Sequence, residues 1–134
     1  MNINQATDYG LRTVLYLAHQ DIQKWVDAQA ISEHEVIPIR FLLKIMPRLT
    51  KAGIVKSHRG VRGGYALARS PQDISLLDVI EAIEGPIHLN RCLEDAAHCS
   101  KQYASACPIH RSLSDIQDQL VLELSRRTFA QMMQ

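Results

Sequence analysis

The sequence predicts a mainly α fold with one small β-hairpin wing: a winged helix-turn-helix followed by a long C-terminal dimerisation helix. Three observations predict it. Between Val36 and Gln72 an amphipathic helical pattern stops at Gly53 and gives way to two short strand-like runs around a basic, Gly-rich tip. That same stretch holds eight of the fifteen Lys and Arg residues and none of the fourteen acids. Near the C-terminus, Ile109, Leu113, Ile116, Leu120 and Leu124 recur at three- and four-residue spacing in the longest helical pattern of the chain.

The charge distribution narrows the function class. The net charge is +1, yet the residues outside the basic stretch carry seven cations against fourteen acids. A one-sign field of this kind attracts polyanions over a Debye length. A helix followed by a basic hairpin is the way a winged helix-turn-helix meets duplex DNA. At 134 residues, 46% hydrophobic and 22% charged, the chain suits one compact domain with an appended element. No apolar run is long enough to cross a bilayer, and MNINQATDYG lacks the features of a signal peptide, so a cytoplasmic, non-membrane protein is expected. The three cysteines are an odd number and are expected to be reduced there.

In order, Asn4 to His19 reads as a first helix with Leu11, Val14, Leu15 and Ala18 on its apolar side and Asp8 in its first turns. Val26 to His34 reads as a short second helix with Asp27 as its N-cap. Pro38 suits the first position of the third helix. Ile39, Leu42, Leu43, Ile45, Met46 and Leu49 are expected on its core side, and Arg40, Phe41 and Lys44 on its outward face. Pro47 predicts a kink, and Gly53 a C-terminal cap. Strands are expected at Ile54 to His58 and Tyr65 to Arg69, with Arg59 and Arg62 at the tip between them. Ser75 and Asp78 form a capping pair for a fourth helix that runs to Glu84, and Gly85 with Pro86 closes this half. The expected domains are a DNA-binding unit over 1–86, a cysteine loop over 87–110, and a dimerisation helix with its tail over 106–134. The tail after Thr128 has apolar residues suited to packing on the first helix.

Cys92, Cys99 and Cys107 all fall in one weakly periodic loop, separated by six and then seven residues, with His98 and His110 close by. Thiolates grouped in a reducing compartment point to a soft metal centre. Cys92, Cys99, Cys107 and His110 suit tetrahedral zinc, and equally an iron–sulfur cluster whose fourth ligand is a histidine or carboxylate. A thiol redox enzyme using Cys107 and His110 as nucleophile and base is a third reading, but no pocket or orienting group completes it. No catalytic residue is therefore expected.

The order of elements, the wing sequence RGVRGGYALARSP, the three-cysteine loop and the closing helix together resemble the IscR/NsrR/CymR-type bacterial regulators over essentially the whole chain. The opening ATDYGLR resembles the NsrR branch. That resemblance implies a homodimeric winged-helix transcription factor, expected to be a repressor, in which Cys92, Cys99 and Cys107 hold a 4Fe–4S cluster and Asp8 of the other chain completes it. CPIH also resembles the Cys-x-x-His end of the IscR loop, which would make His110 the fourth ligand and admits a 2Fe–2S cluster. The cluster would sense redox state, nitric oxide or iron–sulfur status.

On that reading two third helices enter successive major grooves roughly 34–36 Å apart, so the operator is a near-palindrome. Arg40, Phe41 and Lys44 are the expected base-edge and phosphate contacts, Arg59 and Arg62 the wing contacts, and Lys51 and Lys56 phosphate neutralisers.

Overall fold

Helices α1, α2 and α4 each begin where a side chain replaces a missing backbone partner. In the computed structural model, which describes residues 2–133, Asn4 accepts the Thr7 N–H at 2.8 Å and starts α1 (Gln5–Ala18). Asp27 accepts the Ala30 N–H at 2.8 Å and starts α2 (Ala28–Glu35). α3 spans Ile39–Lys51, and the hairpin is β1 (Val55–His58) paired antiparallel with β2 (Gly64–Leu67). A reciprocal Ser75–Asp78 capping box opens α4 (Leu76–Glu84). The single-turn α5 (Arg91–Glu94), two 3₁₀ turns, the 19-residue α6 (Pro108–Arg126) and the short α7 (Phe129–Met132) complete the chain. The expected outer limits 1 and 134 fall on Met1 and Gln134, outside the described residues.

The core lies where α1, α3 and α4 meet. Val14, Leu42, Met46, Leu49, Ile54 and Val79 are wholly buried there. Burial of each such side chain contributes roughly 1.5–3 kcal/mol relative to exposure. α1 approaches α4 closely at Gly10, where a Cβ would collide with Ile83. Thr7 hydrogen-bonds Glu84 at 2.5 Å across the same pair of helices.

The tail does pack back on α1, and it enters the core. Phe129 is 1% exposed, its N–H donates to the Ile74 carbonyl, and the Leu76 N–H donates to the Arg127 carbonyl. The long helix is the opposite case. None of its residues is buried, and Ile109, Ile116 and Leu122 are 67%, 53% and 49% exposed. Among the described residues no helix is long and apolar enough to cross a membrane.

Several sequence expectations need correction. Val26 is not helical. It forms an antiparallel bridge with Tyr65, because the Asp27 cap releases its backbone to pair with the outer edge of β2. Pro38 is the N-cap of α3 rather than its first residue. The last long helix begins at Pro108, and Ala104–Ala106 before it form a separate 3₁₀ turn. α3 is one uninterrupted helix across Pro47, which forgoes the hydrogen bond to the carbonyl of Leu43. Both residues are exposed, so water can satisfy that carbonyl.

Candidate nucleic-acid interface and cysteine site

The turn between α2 and α3 is held by Val36 in the left-handed region (φ 55°) and by the Ile37 N–H donating to the Ser32 carbonyl. α3 ends in a Schellman arrangement: the Gly53 N–H meets the Thr50 carbonyl and the Ile54 N–H meets the Leu49 carbonyl, both at 3.0 Å. Gly53 has φ +75°, which suits glycine, and the chain passes directly into β1. Helix and wing are thereby joined by three residues, Ala52 to Ile54, held by these two hydrogen bonds.

The eight cations of this stretch divide into two sets. Arg48 donates to the Ile83 carbonyl at 2.9 Å and ties α3 to α4. Arg69 donates to the carbonyls of Gly53 and Asp73 and lies 4.0 Å from Asp78. Those two serve the fold. Arg40, Lys44, Lys51, Lys56, Arg59 and Arg62 are all exposed, and among the described residues none of them pairs with a carboxylate. The cause is compositional, since no acid lies between Val36 and Gln72. Six uncompensated cations on a helix and its adjoining hairpin match the electrostatic footprint of a DNA-binding surface.

Two residues of α3 stand differently from expectation. Leu43 is 50% exposed rather than in the core. At positions i, i+3, i+4 and i+7, Arg40, Leu43, Lys44 and Pro47 form one outward stripe, and that spacing was the signal that could have placed Leu43 there. Phe41 faces partly outward but leans on Tyr9 of α1, with ring centroids 6.1 Å apart and the Lys44 ammonium 5.9 Å from its ring.

The cysteine segment has almost no core of its own. Between Leu89 and Cys107 only Ala104 is buried. Cys92 lies in α5, Cys99 follows a 3₁₀ turn, and Cys107 is the N-cap of α6; all three are free thiols and half-buried. His110 Nδ1 lies 3.2 Å from Cys92 Sγ, so its sulfur partner here is Cys92 and not the Cys107 of the nucleophile–base reading. Backbone hydrogen bonds, from Tyr103 first and then Lys101, hold the Cys99 thiol below its ordinary pKa and favour the thiolate, the form that binds metals. Among the described residues no three His, Cys, Asp or Glu side chains are gathered closely enough to hold a metal ion. Asp8 sits on the exposed side of α1, 58% accessible, with its carboxylate 3.4 Å from Arg12 Nε. It is free of any cysteine within its own chain's hydrogen bonds and ion pairs.

Comparison with known proteins places this arrangement. The chain is 28% identical to CymR, "the Global Cysteine Regulator of B. subtilis", over 99% of this chain and 96% of that one, with a TM-score of 0.77. It is 26% identical to T. potens IscR, over 98% of this chain and 85% of the other, with a TM-score of 0.75. A protein of Aquifex aeolicus named "Putative HTH-type transcriptional regulator" is 31% identical over 120 residues, which is 90% of this chain and 83% of the relative. Such relatives are transcriptional regulators, not enzymes. The Rrf2 family model, described as "Iron-dependent Transcriptional regulator", matches residues 3–134. With its basic winged helix-turn-helix and its relatives in agreement, the chain belongs to the Rrf2 family of DNA-binding transcriptional regulators.

Proposed function

We propose that this protein is a homodimeric repressor whose grip on a near-palindromic operator is set by an iron–sulfur cluster, 4Fe–4S in the NsrR-like reading. The observation that carries the sensing half is that all three cysteines are free, half-buried thiols in a segment with almost no core of its own. Cys92, Cys99 and Cys107 would hold the cluster, and Asp8 of the partner subunit would complete it. The donor set fits: thiolates suit iron–sulfur chemistry, and a segment built from single turns can close around a ligand at little cost in packing. When bound, such a cluster offers small oxidants or nitric oxide an iron site whose carboxylate ligand exchanges more readily than a thiolate. The 3.2 Å approach of His110 to Cys92 favours a second reading, in which His110 is the fourth ligand of a 2Fe–2S cluster or of zinc.

The rest of the device is made of the chain's own residues. The exposed Ile109, Ile116 and Leu122 of α6 suit burial against a second copy of the same helix. Arg40 and Lys44 face base edges and phosphates, Leu43 offers an apolar surface for thymine methyl groups, and Arg59 and Arg62 enter the minor groove or follow phosphates. Lys51 and Lys56 neutralise phosphates. Coupling runs through α1. Asp8 adjoins Tyr9, and Tyr9 leans on Phe41 of α3, so release or capture of the carboxylate bears directly on the recognition helix.

Anaerobic purification tests this. A brown protein containing iron and sulfide, with different affinities of its holo and apo forms for a duplex selected from a random pool, is the expected result. Colourless protein with stoichiometric zinc would move the assignment to a zinc-stabilised regulator.

A further inference from the structure

The base of the wing carries an aromatic brace that neither charge nor motif reveals. Val26, in the connection between α1 and α2, pairs with Tyr65 through two hydrogen bonds of 3.0 and 2.7 Å, so the hairpin gains a third, one-residue strand on its outer edge. Trp25 precedes it and therefore projects on the opposite face from Val26. On that face β1 presents Lys56 and His58, paired with Ala66 and Gly64 of β2. Two small residues thus form a floor between Trp25 and β1. The indole spans it: its ring stacks on His58 at 5.0 Å and 20°, and the Lys56 ammonium lies 5.6 Å from the ring. Ala66 is 7% exposed. Gly64 tolerates no side chain, because a Cβ there would strike the backbone of Val26.

His58 immediately precedes Arg59, and the tip beyond it, with Val61 fully exposed, has no other side-chain hydrogen bond or ion pair among the described residues. A two-stranded hairpin is marginally stable alone. Its direction is set by what grips its base.

We propose that Trp25 is a positioning residue for DNA binding: by bridging Ala66 and Gly64 and stacking on His58 it holds the wing in the orientation that presents Arg59 and Arg62 to DNA. The inference rests on the reading of those arginines as DNA contacts. Trp25 touches no base itself in this role. It lowers the ordering cost that a loose wing would meet on binding.

A double-mutant cycle in the intact dimer tests it, using a duplex selected from a random pool by the wild-type protein. Trp25→Ala and His58→Ala are each combined with the paired change Arg59→Ala and Arg62→Ala, and affinity is read against salt concentration; Arg62→Ala is also measured alone. Trp25→Ala alone should weaken binding about tenfold, within the coupling range of groups that act through one another. It should also lower the salt slope by about one to two units, toward the value found when both wing arginines are removed. In the background lacking both arginines the further loss should shrink to under about twofold, and His58→Ala should behave likewise. Trp25→Phe should restore most of the affinity. Losses that add in full, or no loss for either Trp25→Ala or His58→Ala, overturn the proposal. His58→Ala alters an exposed residue and keeps the test valid should Trp25→Ala fail to fold. Arg62→Ala without effect on binding would instead sink the reading of the wing arginines, a separately visible outcome.

Discussion

Tyr9 of α1 and Phe41 of α3 meet ring to ring at 6.1 Å, tilted by 56°, and the Arg12 guanidinium lies 4.9 Å from the Tyr9 ring on the same helix. Tyr9 is 8% exposed and Phe41 42%, so the pair joins the buried core to the outer face of α3. Asp8, the proposed cluster ligand, is the residue just before Tyr9.

From that contact, Phe41→Ala should reduce the ratio between holo and apo affinities for the selected duplex. Coupling carried by one packed pair is worth about 0.5–2 kcal/mol, so the ratio should fall by roughly two- to thirtyfold. Affinities measured anaerobically before and after iron removal give the ratio directly. An unchanged ratio would show that the signal bypasses this pair.

The fourth ligand is decided by comparing Asp8→Ala with His110→Ala. Asp8 is exposed and its Arg12 pair is a surface ion pair, so removing it should leave the fold intact, within about 0.5 kcal/mol. Visible absorbance should show a cluster in Asp8→Ala that is lost faster on exposure to oxygen and responds differently to nitric oxide. His110→Ala should retain the wild-type spectrum and response. The reverse pattern would transfer the role to His110, whose imidazole already lies against Cys92.

Arg40 and Lys51 are both exposed and, among the described residues, without an ion-pair partner, yet their loss should read differently. Arg40→Ala should cost about 1–3 kcal/mol on the selected duplex and relax specificity at one position of each half-site. Lys51→Ala should weaken selected and random duplexes alike and lower the salt slope by about one. Competition assays over a salt series separate the two, and equal behaviour would place Arg40 on phosphate rather than on a base.

Val36 holds a β-branched side chain at φ 55° in the turn before α3, while 79% of it is exposed. Little packing offsets that conformation. Val36→Gly should therefore raise stability by roughly 1 kcal/mol in urea unfolding, after allowance for the greater freedom of glycine in the unfolded chain. A loss of stability would mean that the exposed side chain contributes more than its accessibility suggests.

Much of the architecture was legible because its causes are local. Asp27, Gly53 and the Ser75–Asp78 pair mark element ends through hydrogen bonds made within a few residues, and charge segregation is a property of the chain itself. Leu43 follows its place in the outward stripe with Arg40, Lys44 and Pro47 rather than its apolar character. Val26 was misplaced because its partner, Tyr65, lies far along the chain. The Trp25–His58 stack had no signal in either segment alone.

By itself, then, the sequence determined a helix–wing order, a basic stretch without acids, and three thiols grouped before a long apolar-striped helix. Only the tertiary structure decided which cations are spent on the fold, with Arg48 and Arg69 bound to backbone carbonyls, and which six stand exposed with no carboxylate partner among the described residues. It also decided that the tail, expected on the first helix, enters the core through Phe129, that Phe41 leans on Tyr9, and that Trp25 stacks on His58. The physical reason is range. Caps and charge counts are set by neighbours in sequence, whereas burial and stacking depend on groups that only folding brings together.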